Sequence, residues 1–317
     1  MLGLIRWLSR RSLRSLHLLG GWLGWLAWLL SPSYRRTVAH NAGLAGISAA
    51  DRRRSIAEAG RMMAELPKLW LRPPEQPIPF ALRWEGAELI ERSLGRPGGL
   101  LLLTPHMGSF EMAGQAVAER FGARQPVTVL YRPARQSWLR HLEETARARP
   151  GMATAPANLA GVRQMIRALR KGETVGLLPD QVPPQGQGVW APFFGEPAYT
   201  MTLAARLAQQ TGAHVLMLWC ERLADGAGFV LRVSELAEPL PERAPSDAVL
   251  ALAGATAVNR SMEVLIRQNP GQYLWPYQRY KQPRPMAGSP PVAHGPHASA
   301  SGPAGQGRRD TGGADAS

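Results

Sequence analysis

The chain alternates short apolar runs with stretches of helical period. Leu100 to Thr104 is a block of uncharged residues, the pattern of a parallel strand buried on both faces. PVTVLYRP at 126–133, ETVGLLPDQ at 173–181 and FALRWEG at 80–86 also read as strands. AHVLMLWCER and GFVLRVSEL, at 213–222 and 228–236, read as adjacent strands. Between them FEMAGQAVAERFG predicts a helix. NLAGVRQMIRALRKG puts Leu159, Val162, Met165, Ile166 and Leu169 on one helical face. TMTLAARLAQQTG predicts a helix stopped by Gly212, and 246–268 a long final helix. Residues 34–72 read as helical, with Ile56, Met63 and Leu66 in helical register, Asp51 as a candidate N-cap, and PPEQPIP as the break. This alternation predicts an α/β fold: a mixed, mainly parallel sheet flanked by helices.

The two ends differ from the middle. Arg6, Arg10, Arg11 and Arg14 precede an uncharged run from Ser15 to Tyr34, rich in Leu and Trp. Its apolar heart, Leu16 to Leu30, would span only about 22 Å as a helix, short of the roughly 30 Å hydrocarbon slab. Trp7, Trp22, Trp25 and Trp28 suit a headgroup interface. Residues 1–33 therefore predict an N-terminal membrane-associated helix lying in, or dipping into, the cytoplasmic face, with a single span second. No A-x-A-like cleavage site follows Leu30, so a signal peptide ranks below both. Residues 34–281 form the expected catalytic domain. Residues 282–317, mostly Pro, Gly, Ala, Ser and His, predict a disordered tail.

Charge adds one constraint. The 317 residues carry a net charge of +14, which favours acidic partners such as anionic lipid or an acidic carrier protein. Nucleic acid is not expected, because no recognised DNA- or RNA-binding signature is present. A single cysteine excludes an intramolecular disulfide framework and a Cys-rich zinc site. Cys220, in an apolar run, is expected to pack as a small hydrophobe.

The candidate chemistry gathers at strand ends, where α/β sheets place their sites. His106-Met107-Gly108-Ser109-Phe110-Glu111 follows a buried strand and opens a helix. The turn can fold the Glu111 carboxylate onto one nitrogen of His106, fixing the tautomer and leaving the other nitrogen as a general base. A strand-capping His and a dipole-favoured Glu are the plain alternative. Ser109 lacks the second glycine of a nucleophile elbow. Arg132 ends another strand and could stabilise an oxyanion or hold a phosphate. Asp180 and Gln181 end a third and are candidate oxyanion or substrate contacts. The long loop after them, with Trp190, Phe193 and Phe194, is a candidate lining for an apolar chain, core packing being the competing reading.

HMGSFE resembles the H-x4-(D/E) signature of the lysophospholipid acyltransferase superfamily, and with its terminal Glu the late acyltransferases of lipid A biosynthesis. YRP, GLLPDQ, GVWAPFFG and QYLWPYQRYK resemble that family in the same order, so the resemblance covers about residues 1–281. Met107, Ser109 and Phe110 depart from the usual Phe, Asn and Trp, which puts acyl-chain length and acceptor in doubt. The resemblance implies a bacterial inner-membrane enzyme on the cytoplasmic face. It implies acyl carrier protein as thioester donor and a lipid A precursor as hydroxyl acceptor. It also implies His106 as base, Glu111 as its partner, Arg132 at the oxyanion or a phosphate, and neither metal nor bound cofactor. A glycerolipid or aminolipid O-acyltransferase is the alternative enzyme. A catalytically inactive lipid-binding protein of the same fold is the alternative outside catalysis.

Overall fold

The computed structural model describes residues 2–131 and 146–285, with residues 136, 140, 142 and 143 between them. The nine described strands are β1 (Leu82–Glu85), β2 (Leu100–Leu103), β3 (Val127–Tyr131), β4 (Met152–Pro156), β5 (Thr174–Leu177), β6 (Gly188–Phe193), β7 (Glu196–Met201), β8 (His214–Arg222) and β9 (Phe229–Glu235). All but β6 and β7 join one sheet, ordered β1-β9-β8-β2-β5-β3-β4. Every neighbouring pair is parallel except β8 and β9. The expected mixed, mainly parallel sheet is therefore present, with the fully buried Leu100–Leu103 at its centre.

The described helices are α1 (Leu2–Ser9), α2 (Leu13–Leu30), α3 (Pro32–Leu44), α4 (Ala49–Trp70), α5 (Ala87–Ser93), α6 (Phe110–Phe121), α7 (Leu159–Arg170), α8 (Leu203–Thr211) and α9 (Asp247–Gln268). Alternating side chains send each strand into two cores. Leu101, Leu103, Val175 and Leu177 pack with α3, α7, α8 and α9. Leu100, Leu102, Leu216 and Leu218 pack with α4, α5, α6 and the start of α2. Cys220 is wholly buried in this second core, as expected.

Three local readings change. Residues 34–72 are two helices, and the second is capped by Ser48 rather than Asp51. The Ser48 hydroxyl accepts from the Asp51 N–H at 3.0 Å and donates to the Asp51 carboxylate at 2.7 Å. Sequence position had pointed to the acid, but the cap is the hydroxyl three residues before it. Met152–Pro156, unassigned above, is the edge strand β4. The long loop after Gln181 contains the hairpin β6–β7, disguised because Pro192 and Pro197 face each other across the pair. Its turn residues, Phe194 and Gly195, both have positive φ, 49° and 84°, as a two-residue hairpin turn demands.

The amino-terminal segment is part of the fold. Ser12 caps α2 through the Ser15 N–H, and Ser31 ends α2 while capping α3. Leu13, Leu16, His17, Gly20 and Gly24 form the buried face of α2, pressed on α4. The backbones touch there: a Cβ on Gly60 would lie 1.9 Å from the Gly20 carbonyl oxygen. The opposite face leaves Leu18, Trp22, Leu23, Leu26, Leu29 and Leu30 exposed. Among the described residues, α9 is the helix long and apolar enough to cross a membrane, yet half of its apolar stretch is buried. It packs on β6, β7 and α8 and serves as a core helix. Of the expected tail, 282–317, the start belongs to the fold, with Gln185 N–H donating to the Arg284 carbonyl at 3.0 Å, and residues 286–317 lie outside the described residues.

Gly60→Leu should force α2 off α4 and lower stability by about 1–3 kcal/mol or more, the scale of overpacking. Gly21→Ala should cost nothing, because its Cβ would meet only side chains at ordinary contact distance, Arg61 at 3.5 Å and Ala57 at 3.8 Å. Thermal unfolding of the two variants in detergent checks the contrast.

Candidate active site

β2 and β5 are neighbours in parallel register, Leu103 opposite Leu177, so the segments after them end side by side. His106 follows one and Asp180 the other. One Asp180 oxygen accepts from His106 Nδ1 at 2.6 Å, and the other accepts from the His106 backbone N–H at 2.8 Å. Ring and backbone are thus held by one carboxylate. Asp180 is 2% exposed. Burial alone would raise its carboxyl, but the imidazole, the two hydrogen bonds from His106 and nearby Arg279 outweigh burial and hold it below the ordinary carboxylate range. An ionised Asp180 assigns the proton to Nδ1 and leaves Nε2 as the acceptor. The Gln181 carboxamide nitrogen donates to Nε2 at 3.0 Å.

Glu111 is elsewhere. The expected bond between it and His106 is not formed, because Asp180 occupies Nδ1. Glu111 instead pairs with Arg147, whose guanidinium lies 4.8 Å from the Tyr131 ring centroid. Glu111 opens α6 as read, but its carboxylate is drawn to a cation rather than back to the ring. Glu111, Arg147 and His106 all line one cavity. Arg147 carried no sequence signal beyond its charge. Arg132 lies outside the described residues.

The turn between β2 and α6 is stitched on three sides. Gly108 N–H donates to the Gln272 carbonyl at 2.9 Å, and Ser109 N–H to the Cys220 carbonyl at 2.8 Å. Leu274 N–H donates to the His106 carbonyl at 3.0 Å. Gly108 has φ of 59°, and a Cβ there would lie 2.0 Å from the Cys220 oxygen, so only glycine fits. The QYLWPYQRYK segment also reaches the second half of the site. The Tyr277 hydroxyl accepts from Val182 N–H at 2.8 Å, next to Gln181. Ser109 is 1% exposed and absent from the cavity wall. Burial, with Glu65 nearby, pushes the Cys220 thiol well above its ordinary value. Neither is presented as a nucleophile.

Under this turn lies a buried ion cluster that the sequence did not reveal. Arg222 donates to Glu65 through Nε and a terminal nitrogen, each at 2.8 Å, and to Glu58 at 2.8 Å. It also donates to the Gly108 carbonyl at 3.2 Å. His17 of α2 sits 3.2 Å from the same Glu65. The cluster ties the His106 turn to α4 and, through His17, to α2. Burial would raise the Glu65 carboxyl, but Arg222 reverses that and holds it low.

The cavity holds about 610 Å³, within the range of small-ligand sites. Its walls are mostly apolar, with Leu102, Val117, Val129, Val162 and Leu207 among them, and His106 and Gln181 at the strand tips. The expected aromatic lining is not there. Phe193 and Phe194 are core residues stacked near Tyr280 and Trp275. Trp190 packs on Tyr199 within the hairpin. Arg267 of α9 lies 5.0 Å from the Phe194 ring centroid, and none of the three rings is on the cavity wall. No group of side chains able to hold a metal ion occurs among the described residues.

The sequence profile of the bacterial lipid A biosynthesis acyltransferases matches residues 10–282. The chain belongs to that family. It is 29% identical over 250 residues to a lipid A biosynthesis palmitoleoyltransferase of Escherichia coli, covering 76% of each chain. It is 29% identical over 205 residues to that organism's lauroyltransferase of the pathway, covering 63% of this chain and 62% of the relative. To the myristoyltransferase it is 24% identical over 233 residues, covering 73% and 68%. As a lipid A acyltransferase the chain has its His106 turn, LPDQ segment and C-terminal brace all inside the matched region.

Arg222→Met should cost about 3–5 kcal/mol at neutral pH, since it leaves buried carboxylates without their cation. Glu65 has a depressed value in the fold, so its contribution is complete above roughly pH 4 and fades as the pH falls through that depressed value. Without Arg222, Glu65 takes up a proton more readily. The variant's deficit, measured by chemical unfolding across pH, should therefore narrow in acid.

Proposed function

We propose that this lipid A acyltransferase moves a fatty acyl chain from acyl carrier protein to a hydroxyl of a lipid A precursor, at the cytoplasmic face of the bacterial inner membrane. One observation carries the reading: a His106 imidazole oriented by buried Asp180 opens, through Nε2, onto a largely apolar cavity. The substrate hydroxyl displaces the Gln181 carboxamide and gives its proton to Nε2. The hydroxyl oxygen attacks the thioester carbonyl and the tetrahedral oxyanion forms. The C–S bond then breaks, and the leaving thiolate takes the proton back from Nε2. No acyl-enzyme intervenes.

Charge on the oxyanion needs donors. The Gly108 and Ser109 N–H groups are already spent on Gln272 and Cys220. We assign the task to Arg132, to the displaced Gln181 carboxamide and to the amino end of α6. Glu111 has a second-hand role here: it holds Arg147 at the cavity wall beside His106. The palmitoleoyl-, lauroyl- and myristoyltransferase names of the relatives support acyl transfer within lipid A assembly. The net charge of +14 supports an acidic donor protein and anionic lipid as partners. The exposed apolar face of α2, with Arg10, Arg11 and Arg14 at its start, supports interfacial seating.

His106→Ala should lower kcat by about a hundredfold or more while membrane partitioning stays as in the parent. Asp180→Asn should also lower kcat by about a hundredfold, because an amide no longer fixes the Nδ1 proton. Glu111→Gln should lower it less. Transfer of radiolabelled acyl groups from acyl carrier protein to a lipid A precursor measures all three. A greater kcat loss for Glu111→Gln would make Glu111 the orienting carboxylate.

A further inference from the structure

The cavity walls come from both faces of the central sheet. Leu102, Val117, Val127 and Leu218 belong to the core on the α6 side, and Met152 packs against it. Leu177 and Leu207 belong to the core on the α7–α8 side, with Val162, Ile166 and Leu203 packed against that one. A single cavity lined from both faces crosses the carboxyl ends of the strands, where His106, Gln181, Tyr131 and Asn158 line it.

We propose that these are two separate chain sites joined at His106. The lobe under α6 takes the donor acyl chain, and the lobe between α7 and α8 takes the acyl chain of the acceptor lipid next to the attacked hydroxyl. The inference rests on the acyl-transfer reading and adds which wall reads which substrate. Direct transfer needs the thioester carbonyl and the hydroxyl at Nε2 together, so two apolar ligands must approach the imidazole by different routes. Two lobes on opposite sides of the sheet provide them.

The walls differ in character, and that sets the assignment. Under α6 they are mainly Leu, Val and Met side chains, with Leu102, Val117 and Val127 at most 3% exposed, and the charges on this side, Glu111 and Arg147, neutralise each other. Two glycines leave width there: a Cβ on Gly114 would come 3.3 Å from the Met152 methyl, and one on Gly176 would come 3.3 Å from a Val129 methyl. A mainly apolar wall whose charges are paired with each other suits a plain fatty chain with its carbonyl beside His106. The other lobe is apolar at Ile166, Leu203 and Leu207 but ends in polar Arg206 and Gln210, both exposed. Such a site suits an amphiphile that keeps an anionic or hydroxylated head at the rim.

Substitution of one lobe at a time in the full chain tests this, using acyl thioesters of graded length as donors and a lipid A precursor with full or shortened acyl chains as acceptor. Gly114→Leu should shift the donor preference to shorter chains and leave the acceptor KM within about twofold. Leu203→Trp, or Val162→Trp if the first fails to fold, should raise the acceptor KM by about tenfold, the scale of a mismatched apolar pocket. Shortening the acceptor chain should offset that loss, and the donor preference should stay put. A shift of donor preference by either tryptophan, or an unchanged acceptor KM, overturns the two-site assignment. If the parent protein acylates no lipid A precursor, the underlying reading fails instead.

Discussion

A single buried carboxylate organises this site. Asp180 accepts from the ring and from the backbone N–H of His106 at once, so it fixes ring orientation, tautomer and the path of the chain leaving β2. A buried carboxylate is tolerated only when its charge is matched. Here His106 supplies both bonds and Arg279 adds positive charge nearby. Arg279 is itself buried against the Tyr199 carbonyl and Thr200 hydroxyl, at 2.8 and 2.6 Å. The hairpin thus holds in place a positive charge that favours the ionised carboxylate.

The second constraint runs from the surface inward. α2 has an apolar outer face and a glycine-lined inner face, and glycine-to-backbone contact brings it close to α4. α4 carries Glu58 and Glu65 to Arg222, and Arg222 reaches the Gly108 carbonyl. Each part of this chain is rigid for a definite reason. Helix backbones in contact cannot slide without clash, and buried ion pairs cannot open without exposing charge to an apolar interior. The surface expected to meet the membrane is thereby coupled mechanically to the turn that holds the base.

Much of this was legible along the chain. Apolar runs and helical periods are local properties, and they located the sheet strands around Leu100–Leu103 and the helices α6, α7 and α9. The His106 turn was legible because a strand–turn–helix passage with a His is compact in sequence. The hairpin β6–β7 was not, because paired prolines interrupt the alternation that marks a strand. Phe193 and Phe194 then went to the core instead of the cavity, since a hairpin, unlike a loop, dictates which way successive side chains face.

Sequence alone determined that a histidine sits at a strand tip, that carboxylates are at hand, and that the amino end is apolar and basic. Only the tertiary structure decided which carboxylate meets the imidazole. Glu111 is near in the chain, and Asp180 is 74 residues away, yet parallel pairing of β2 with β5 sets their ends side by side. Neighbourhood across a sheet depends on strand order, which no local pattern encodes. The same holds for Arg222, whose two glutamates arrive from a helix more than a hundred and fifty residues earlier. Burial chemistry can be read from composition, but pairing is set by topology.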